Sequence, residues 1–340
     1  ILDEVRALAQ DGVPEVTLLG QTVNSYEHGD WNFPRLLREV ARVHGIRRVR
    51  FTSPHPNDFT RELVEVMAAE PAVCKQLHLP VQSGHNRTLK RMLRRYTVEE
   101  YLEKIQWVRE AMPHIALSTD VIVAFPGETD EEYQATLELM RTVRYDDAFL
   151  YKYSERDGTP ATRLPRDQFV PDEIGQARLE GLIATHRAIQ AEIYAAEVGR
   201  IEEVLVEKEG RRGGLQGRTD SNKVVTFDAP VTLIGGFATV RLVATSGSTF
   251  TGALVTDGVV RDVSGVLGTG LPVWCQGTAA PSSVTGLTFV GWQEPIGCGG
   301  VAVFPDDVVV VDEDGAVLIP AALLDEMVAN APEQERMEAW

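Results

Sequence analysis

The spacing of apolar positions divides the chain near residue 197. Before that point, short apolar or β-branched runs alternate with amphipathic stretches of helical length, which indicates βα units around a parallel sheet. Thr97 and Thr129 are each followed three residues later by a glutamate, which predicts two helices that begin with capping boxes. The predicted strands are Val16–Leu19, Arg48–Phe51, Gln76–Leu79, Ser118–Val123 and Ala148–Tyr151.

The pattern changes twice after that point. Short β-rich runs separated by glycine-rich turns follow Gly199, as in a small antiparallel barrel. Beyond about Val255 we expect a hairpin over Asp306–Ile319, with its turn at Asp312–Gly315, and a closing helix from Ala321. The predicted domains are 1–196, 197–253 and 254–340, and the fold class is α/β. The strands expected in the middle domain are Glu203–Glu207, Lys223–Phe227 and Ala238–Val243.

Composition excludes some classes of protein. No apolar run of the 340 residues approaches the roughly 20 residues that a membrane span needs. The net charge of −17 argues against indiscriminate binding to nucleic acid, but residues 306–340 hold ten acidic residues and one arginine. Cys74, Cys275 and Cys298 lack CxxC spacing, so a reducing cytoplasm is expected. The first residues read as the middle of an amphipathic helix, so we expect the natural N-terminus to precede Ile1.

Four polar segments come directly after predicted strands. They are Gly20–Tyr26, Ser53–Pro56, Leu79–Gly84 and Phe125–Thr129. In a barrel of parallel strands the active site lies at the carboxyl ends of the strands. Loop punctuation explains any one of these segments, but four of them in succession predict the rim of a site.

Two long strings in this region resemble a known family. They read LHLPVQSG followed by RTLKRMLRRYTVEEYLEKI, and LSTDVIVAFPGETDEEYQATLELM. Both resemble the radical-SAM methylthiotransferases, the MiaB-type tRNA enzymes most of all, and LQGRTDSNKVVTFDAP extends the resemblance into their TRAM domain, to about residue 253. The resemblance implies a partial radical-SAM (β/α) barrel followed by an RNA-binding TRAM barrel.

The resemblance also implies a reaction and its binding residues. The family adds a methylthio group to N6-isopentenyladenosine beside the anticodon, and its TRAM domain holds the tRNA anticodon stem-loop. The family motif reads IVGFPGE, whereas this chain has Ala124 in place of the first glycine of that string, which is expected to crowd the cofactor. The residues implied to line the S-adenosylmethionine (SAM) pocket are Gln82, Ser83, Gly84, Asp120, Pro126, Gly127 and Glu128.

The family's iron–sulfur chemistry has no matching ligands in these residues. Reductive cleavage of SAM needs a [4Fe–4S] cluster, which this family holds on a CxxxCxxC loop, and a second cluster lies in an N-terminal domain. Cys74 precedes a strand and is expected to be a small buried hydrophobic residue. We therefore expect no stable cluster and no turnover by the 340 residues alone. The strand before the cluster loop is also missing, so the first strand should have an unpaired edge.

Two basic patches are candidates for RNA contact. The first recurs at spacings of three and four, which predicts one helix face toward phosphates, although a solvated helix face is an equal alternative. The second lies in the TRAM-like region, where the resemblance favours RNA binding over a solvated hairpin. The residues are Arg87, Lys90, Arg91, Arg94 and Arg95 in the first patch, and Arg211, Arg212, Arg218 and Lys223 in the second.

The last part of the chain resembles a different family. LVTDGVVRDVSGVLGTGLPVWCQGTAAPSS and IGCGGVAVFPDDVVVVDEDGAVLIPAALLDEMV are similar to the C-terminal part of RraA-like / HMG-CHA aldolases, whose domains oligomerise. This implies that Arg261 holds a pyruvate carboxylate and that Asp262 binds Mg²⁺. Gly265 stands where the family has an acidic residue, so the site is expected to be incomplete; without the resemblance, Arg261 and Asp262 read as a surface ion pair.

Three functions follow from these resemblances. The leading interpretation is a fragment of a tRNA methylthiotransferase, with surfaces for SAM and RNA. The alternatives are an RraA-like lyase or regulatory oligomer and an RNA-binding module without catalysis. The two resemblances together suggest a chimera, with two unrelated gene pieces joined near residues 245–258.

Overall fold

The structure, a computed structural model, describes the chain in two parts. Residues 1–156, 158–211 and 213–255 are described in full, and after them only the backbone of short strands between residues 259 and 319. The chain divides into two compact units, Ile1–Gly252 and Ala253–Trp340, and each is described by itself.

The first unit alternates strands and helices and then becomes all-β. Its helices are α1 (Leu2–Gln10), α2 (Phe33–Ala41), α3 (Arg61–Ala69), α4 (Asn86–Arg91), α5 (Val98–Ala111), α6 (Asp130–Val143) and α7 (Asp172–Glu197). Its strands are β1 (Glu15–Leu18), β2 (Glu27–His28), β3 (Trp31–Asn32), β4 (Arg48–Phe51), β5 (Gln76–His78), β6 (Ala116–Val123), β7 (Asp147–Lys152), β8 (Ile201–Glu209), β9 (Leu215–Thr219), β10 (Val224–Phe227), β11 (Phe237–Ser246) and β12 (Thr249–Val255).

Five parallel strands follow one another in chain order. β1 pairs with β4, and β5, β6 and β7 pair in sequence. A parallel bridge between Val49 and Val73, with the Cys74 N–H donating to the Val49 carbonyl at 3.0 Å, links the two sets. All five strands were predicted, each within two residues of its observed bounds, and the α/β class is confirmed. Among the described residues β1 pairs with β4 alone, as expected of an edge strand.

The helices after the strand ends begin where the sequence predicts. The Thr97 hydroxyl accepts from the Glu100 N–H at 3.2 Å, and the Glu100 carboxylate accepts from the Thr97 N–H at 2.8 Å. Thr129 and Glu132 form the same reciprocal pair at the start of α6. Both predicted capping boxes are confirmed, and they fix where each helix leaves the sheet.

Side chains of β6 alternate between the core and the opposite face of the sheet. Leu117, Thr119 and Val121 are buried, whereas Ser118 and Asp120 are half-buried on the other face. This period of two is that of a strand whose faces meet different surroundings. The half-buried face is the one that lines the candidate site.

The last five strands of the first unit form a closed barrel. β9 pairs with β8 and β10, β11 pairs with β8 and β12, and β10 closes the ring on β12. A small antiparallel barrel was predicted, but the closing pair is parallel, with Val224 opposite Thr249. Gly217 and Gly252 leave no room for a side chain, because a Cβ would lie 2.2 Å from the Leu205 carbonyl and 2.2 Å from Val240 respectively.

Two arginines of β4 join the parallel sheet to the small barrel. The Arg48 guanidinium donates to the carbonyls of Arg218 and Glu203 at 2.9 and 2.6 Å. The Arg50 guanidinium donates to the carbonyls of Thr219 and Asp220, both at 2.9 Å. Both arginines are buried. These four hydrogen bonds place the small barrel against the amino ends of the parallel strands.

A buried lysine makes a second connection, and its position corrects one prediction. Lys223 is 4% exposed, and its Nζ lies 2.6 Å from Asp146 and 2.7 Å from Glu197. The ammonium also lies 5.0 Å from the centre of the Tyr194 ring. Lys223 therefore cannot serve as an exposed RNA contact, because both its charge and its surface are used inside the protein.

The second unit is described through short strands. β13 (Val259–Val260) pairs in parallel with β15 (Gly277–Thr278), and Leu254 and Val255 pair with β14 (Val273–Trp274). The predicted hairpin is confirmed by β18 and β19, but its turn and the helix expected from Ala321 lie outside the described residues. Arg212, Arg261, Asp262, Gly265 and Cys275 also lie outside them. The remaining strands are β16 (Ile296–Cys298), β17 (Val301–Val303), β18 (Val308–Val311) and β19 (Ala316–Ile319).

The described helices also bear on membrane association. None of them, in the part of the chain that the structure describes, combines the length and the apolar character that a membrane crossing needs.

The buried lysine gives a stability prediction. We expect Lys223→Met to lower the free energy of unfolding by about 3 kcal/mol, because the buried Asp146 carboxylate would lose its cation, whereas the half-buried Glu197 keeps Arg200 at 3.5 Å. The control is Lys208→Met on an exposed position of β8, which should change stability by less than about 0.5 kcal/mol. Urea unfolding of both variants measures the difference. Equal unfolding midpoints of the two variants would show that the ion cluster does not stabilise the junction between the parallel sheet and the small barrel.

Candidate functional site

A cleft of about 550 Å³ opens at the carboxyl ends of β5, β6 and β7. Asp120 and Ile122 of β6 and Tyr151 of β7 line it, together with Gln82. Pockets of this size accommodate small organic ligands of the size of a nucleoside derivative. Two of the residues predicted for the cofactor pocket, Gln82 and Asp120, therefore share one cavity.

Cations and aromatic rings surround the carboxylate. Arg91, Arg94, Lys152 and Arg156 all line the cleft, and the rings of Phe125 and Tyr153 form part of its wall. The two rings meet edge to face, with centres 5.1 Å apart. The cavity thus has one carboxylate, several cations and apolar faces for a flat group in its lining, with Lys152 also paired to Asp172 at 2.7 Å.

The segment that carries Gln82 is held by buried tyrosine hydroxyls. Tyr96 donates to the Val81 carbonyl at 3.1 Å, and Tyr101 donates to the Leu79 carbonyl at 2.9 Å. Burial raises the pKa of Tyr96 to about 12, so its hydroxyl remains a neutral donor. Gln82 itself bonds through its backbone to Asp120 and Ile122 of β6, at 2.8 and 2.9 Å.

Ser83 and Gly84 lie behind the cleft, against helix α6. The Gly84 N–H donates to the Thr136 hydroxyl at 3.0 Å, and Ser83 is fully buried. A Cβ on Gly84 would lie 2.5 Å from the Thr136 Cα. The contribution of these two residues is close packing of the strand end on α6, and neither presents a side chain to the cleft.

The Glu128 carboxylate is also buried in the protein interior. Its carboxylate accepts from the Ala124 N–H at 2.6 Å and from Arg178 at 2.9 Å, and the residue is 5% exposed. Burial raises the pKa of this carboxyl, although the Ala124 N–H and the Arg178 cation lower it in part. Arg178 reaches the exposed Asp130 at 2.6 Å as well. Glu128 therefore ties the loop after β6 to α7.

Arg91 contacts the neighbouring Pro126 and Gly127 through their carbonyl groups. The Arg91 guanidinium donates to the Gly127 carbonyl and lies 3.5 Å from that of Pro126. Gly127 has φ +78°, and a Cβ there would lie 2.2 Å from the Arg91 guanidinium. The positive φ favours glycine at this position, because a residue with a Cβ is strained there even when the flexible end of Arg91 moves aside.

Three strand ends carry non-glycine residues in the left-handed region. Ser53 after β4, Gln82 after β5 and Ala124 after β6 have φ of 59°, 71° and 59°. Such residues cost about 1 kcal/mol each or more and cluster where structure serves function. All three lie at the edge of the sheet where polar segments were predicted to form a rim.

The first basic patch is not one helix face. Helix α4 ends at Arg91, and Leu93 has φ +58°, so Arg94 and Arg95 leave the helix direction. Arg87 pairs with the buried Glu132 at 3.1 Å. The prediction of a continuous face is therefore wrong, because a left-handed residue interrupts the helical spacing. Lys90 and Arg95 are exposed, whereas Arg91 and Arg94 line the cleft.

The second patch keeps fewer free cations than predicted. Arg218 lies 3.2 Å from Glu207 and donates to the Asn222 side chain at 3.0 Å. Arg211 is exposed. With Lys223 buried, Arg211 and the partly exposed Arg218 are the described members that face solvent.

Cys74 does not resemble a metal ligand. It is 2% exposed, as predicted for a small buried hydrophobic residue, and burial raises the pKa of its thiol to about 12. Within the described ranges no three His, Cys, Asp or Glu side chains are arranged to hold a metal ion. These residues do not fit an iron–sulfur cluster.

Comparison with protein families matches two parts of the chain. Residues 1–140 match the family model of the Radical SAM superfamily. Residues 215–318 match that of Aldolase/RraA. The second match begins inside the small barrel, before the domain boundary expected at residue 254.

Curated relatives resemble about three-quarters of the chain. A protein named tRNA-2-methylthio-N(6)-dimethylallyladenosine synthase from Chlorobium limicola is 46% identical over 256 residues, 74% of this chain and 58% of its own length. One of the same name from Phocaeicola vulgatus is 48% identical over 259 residues, 74% of this chain and 56% of its own length. The chain therefore spans a little over half the length of these relatives.

Solved structures are more distant. Coproporphyrinogen III oxidase (HemN) from Escherichia coli, a radical SAM enzyme, is 14% identical with a TM-score of 0.42, over 71% of this chain and 59% of that chain.

The left-handed alanine gives a prediction about strain. We expect Ala124→Gly to stabilise the protein by about 0.5–1 kcal/mol, because φ +59° is unfavourable for a residue with a Cβ. The matched control is Ala135→Gly inside α6, which should destabilise the protein by a similar amount. Thermal unfolding of the two variants gives opposite signs on this account, and destabilisation by both would contradict it.

Proposed function

Because the chain carries a radical SAM domain and closely resembles tRNA methylthiotransferases, we propose that its cleft binds SAM for the methylthiolation of N6-isopentenyladenosine beside the anticodon. The observation that carries this proposal is the convergence of Gln82 and Asp120 on one cleft at the carboxyl ends of parallel strands. Ligands bind at that edge in open and closed sheets of this kind.

The residues of the cleft fit an adenosyl ligand. The Asp120 carboxylate accepts hydrogen bonds from ribose hydroxyls, and the side chains of Ile122, Phe125 and Tyr151 offer apolar faces to the base. The cations at the rim suit the carboxylate of the amino-acid part of SAM. In this superfamily bound SAM is the molecule that is reductively cleaved, and an iron–sulfur cluster would supply the electron. The proposed role of these residues is to bind and orient the cofactor.

The residues present fit SAM, but they do not fit an iron–sulfur cluster. The three cysteines of the 340 residues lack the CxxxCxxC spacing, and Cys74 is buried as a neutral thiol. These residues therefore do not provide the ligands of a cluster that would cleave SAM. We infer that these 340 residues supply the cofactor cleft and RNA surfaces, and that turnover requires thiolates from elsewhere.

The proposed partner is the anticodon stem-loop of a tRNA, met in the cytoplasm. The exposed Lys90 and Arg95 lie beside the cleft-lining Arg94, and Arg211 and Arg218 lie on the small barrel. Phosphate contacts are electrostatic and need unpaired cations at the surface. Lys90, Arg95 and Arg211 are exposed and supply such cations in spite of the overall charge of −17, whereas Arg218 is paired with Glu207 at 3.2 Å.

A second function is favoured by the Aldolase/RraA match at residues 215–318. It supports a lyase or regulatory role for the C-terminal part, with Arg261 on a pyruvate carboxylate, Asp262 on Mg²⁺, and oligomerisation through this segment. The side chains concerned lie outside the described residues.

Titration with SAM tests the first proposal. We expect the purified chain to bind SAM and Asp120→Asn to weaken binding roughly tenfold, the worth of a hydrogen bond to a charged group. Asp11→Asn, an exposed residue after α1, is the control and should bind as the unaltered chain does. Isothermal titration calorimetry measures all three. Equal affinity of the two variants would remove Asp120 from the proposed site.

RNA binding is tested by charge reversal. We expect Lys90→Glu combined with Arg95→Glu to weaken binding of a synthetic anticodon stem-loop and to reduce the log–log salt slope by about one per lost phosphate contact. Arg187→Glu, an exposed arginine of α7, is the control in the same assay. Fluorescence anisotropy at several salt concentrations gives the slopes. An affinity that does not respond to salt would contradict the electrostatic account.

A further inference from the structure

We propose that His78 is a positioning residue that fixes the carboxylate of Asp120 at the floor of the cleft. The inference rests on the proposed function, because Asp120 is the group assigned there to the adenosyl ligand. No motif in the sequence indicated this role for His78, which lies one strand away from Asp120.

The sheet register brings the two side chains together. His78 of β5 lies opposite Ser118 of β6, and Asp120 follows Ser118 on the same face. The His78 Nδ1 lies 3.0 Å from the Ser118 hydroxyl oxygen, and its Nε2 lies 3.5 Å from Asp120 Oδ1. The imidazole therefore spans the two polar side chains of the middle strand.

The chemistry of the three groups selects one arrangement of protons. A carboxylate accepts hydrogen bonds and donates none, so the Nε2 that faces Asp120 carries the proton. In the neutral ring Nδ1 is then an acceptor, and the Ser118 hydroxyl donates to it. Ser118 thus sets the tautomer that turns the Nε2–H of His78 toward Oδ1, at 3.5 Å, a long polar contact rather than a full hydrogen bond.

Packing fixes the ring in this orientation. Phe149, on the far strand β7, meets the imidazole edge to face with the ring centres 5.7 Å apart. The His78 side chain is 18% exposed, whereas that of Asp120 is 29% exposed. Asp147 of β7 also interacts electrostatically with His78, and it faces His186 of α7 at 3.9 Å. His78 is therefore the more buried member of the pair, and it supports the more exposed Asp120.

The two carboxylate oxygens of Asp120 have different surroundings. Oδ1 faces His78, and no described residue bonds Oδ2. Because Asp120 lines the cleft, Oδ2 is the oxygen available to a ligand. A site gains affinity when supporting groups lock the orientation of the groups that touch the ligand.

A double-mutant cycle separates positioning from structural support. The variants are His78→Leu, His78→Gln and Asp120→Ala, with His78→Leu also made in the Asp120→Ala background, and SAM affinity is measured by isothermal titration calorimetry. We expect His78→Leu to weaken SAM binding roughly two- to threefold, the lower end of the range for one hydrogen bond, because the Nε2–Oδ1 contact is long at 3.5 Å, and His78→Gln to restore most of the affinity through its amide donor. In the Asp120→Ala background, where no side-chain oxygen remains, His78→Leu should have no further effect. Urea unfolding of each variant controls for loss of folded protein.

Two results would overturn the inference. The first is an equal loss of affinity on His78→Leu in both backgrounds, which is the behaviour of a residue that only fills space. The second comes from nitrogen-15 NMR of the imidazole rings, with the His78 signals assigned by the His78→Leu variant. We expect the Nε2–H tautomer and a clear change on Asp120→Ala; signals that ignore Asp120→Ala would show that the contact does not exist.

The NMR measurement needs no ligand. If the unaltered chain failed to bind SAM, the proposed function would fall, and the coupling between His78 and Asp120 would still be decided by the ring signals. The two failures are therefore distinguishable.

Discussion

Three buried cations, Arg48, Arg50 and Lys223, determine how the parallel sheet and the small barrel are joined. The arginines donate to four carbonyls of the barrel strands, and the lysine lies between Asp146 and Glu197. A buried charge is tolerated only when its partners are complete, so these contacts allow little freedom at the junction.

The consequence of that junction is the position of the site. Arg48 begins β4, Lys75 precedes β5, where its N–H donates to the Asp220 carboxylate at 2.8 Å, and Asp146 precedes β7. All three anchors lie at the amino ends of parallel strands. The small barrel therefore covers that edge, and the opposite edge, where Asp120 and Gln82 meet, stays open as a cleft of about 550 Å³.

What could be predicted from the sequence was local in origin. The bounds of the five parallel strands and both capping boxes follow from spacings within a few residues, and the structure has these strands within two residues of the predicted bounds, whereas β9 and β12 of the small barrel were not predicted. The basic patch failed because one left-handed residue, Leu93, ends the regularity that the spacing assumed. Lys223 and His78 were misjudged or missed because their partners come from other elements, and only tertiary packing brings them together.

The two acidic residues of the site illustrate the same limit. Asp120 and Glu128 were assigned the same role by resemblance, but their surroundings separate them. Glu128 is buried beside Arg178 with a raised pKa and braces a loop, whereas Asp120 is partly exposed beside His78 and faces the cleft. Burial and partners, which a motif does not encode, decide which carboxylate meets a ligand.

The small barrel is complete before the second unit begins. Its closing pair uses Thr249–Gly252, which lie inside the first unit. The Aldolase/RraA match that starts at residue 215 therefore overlaps a barrel that closes with its own strands.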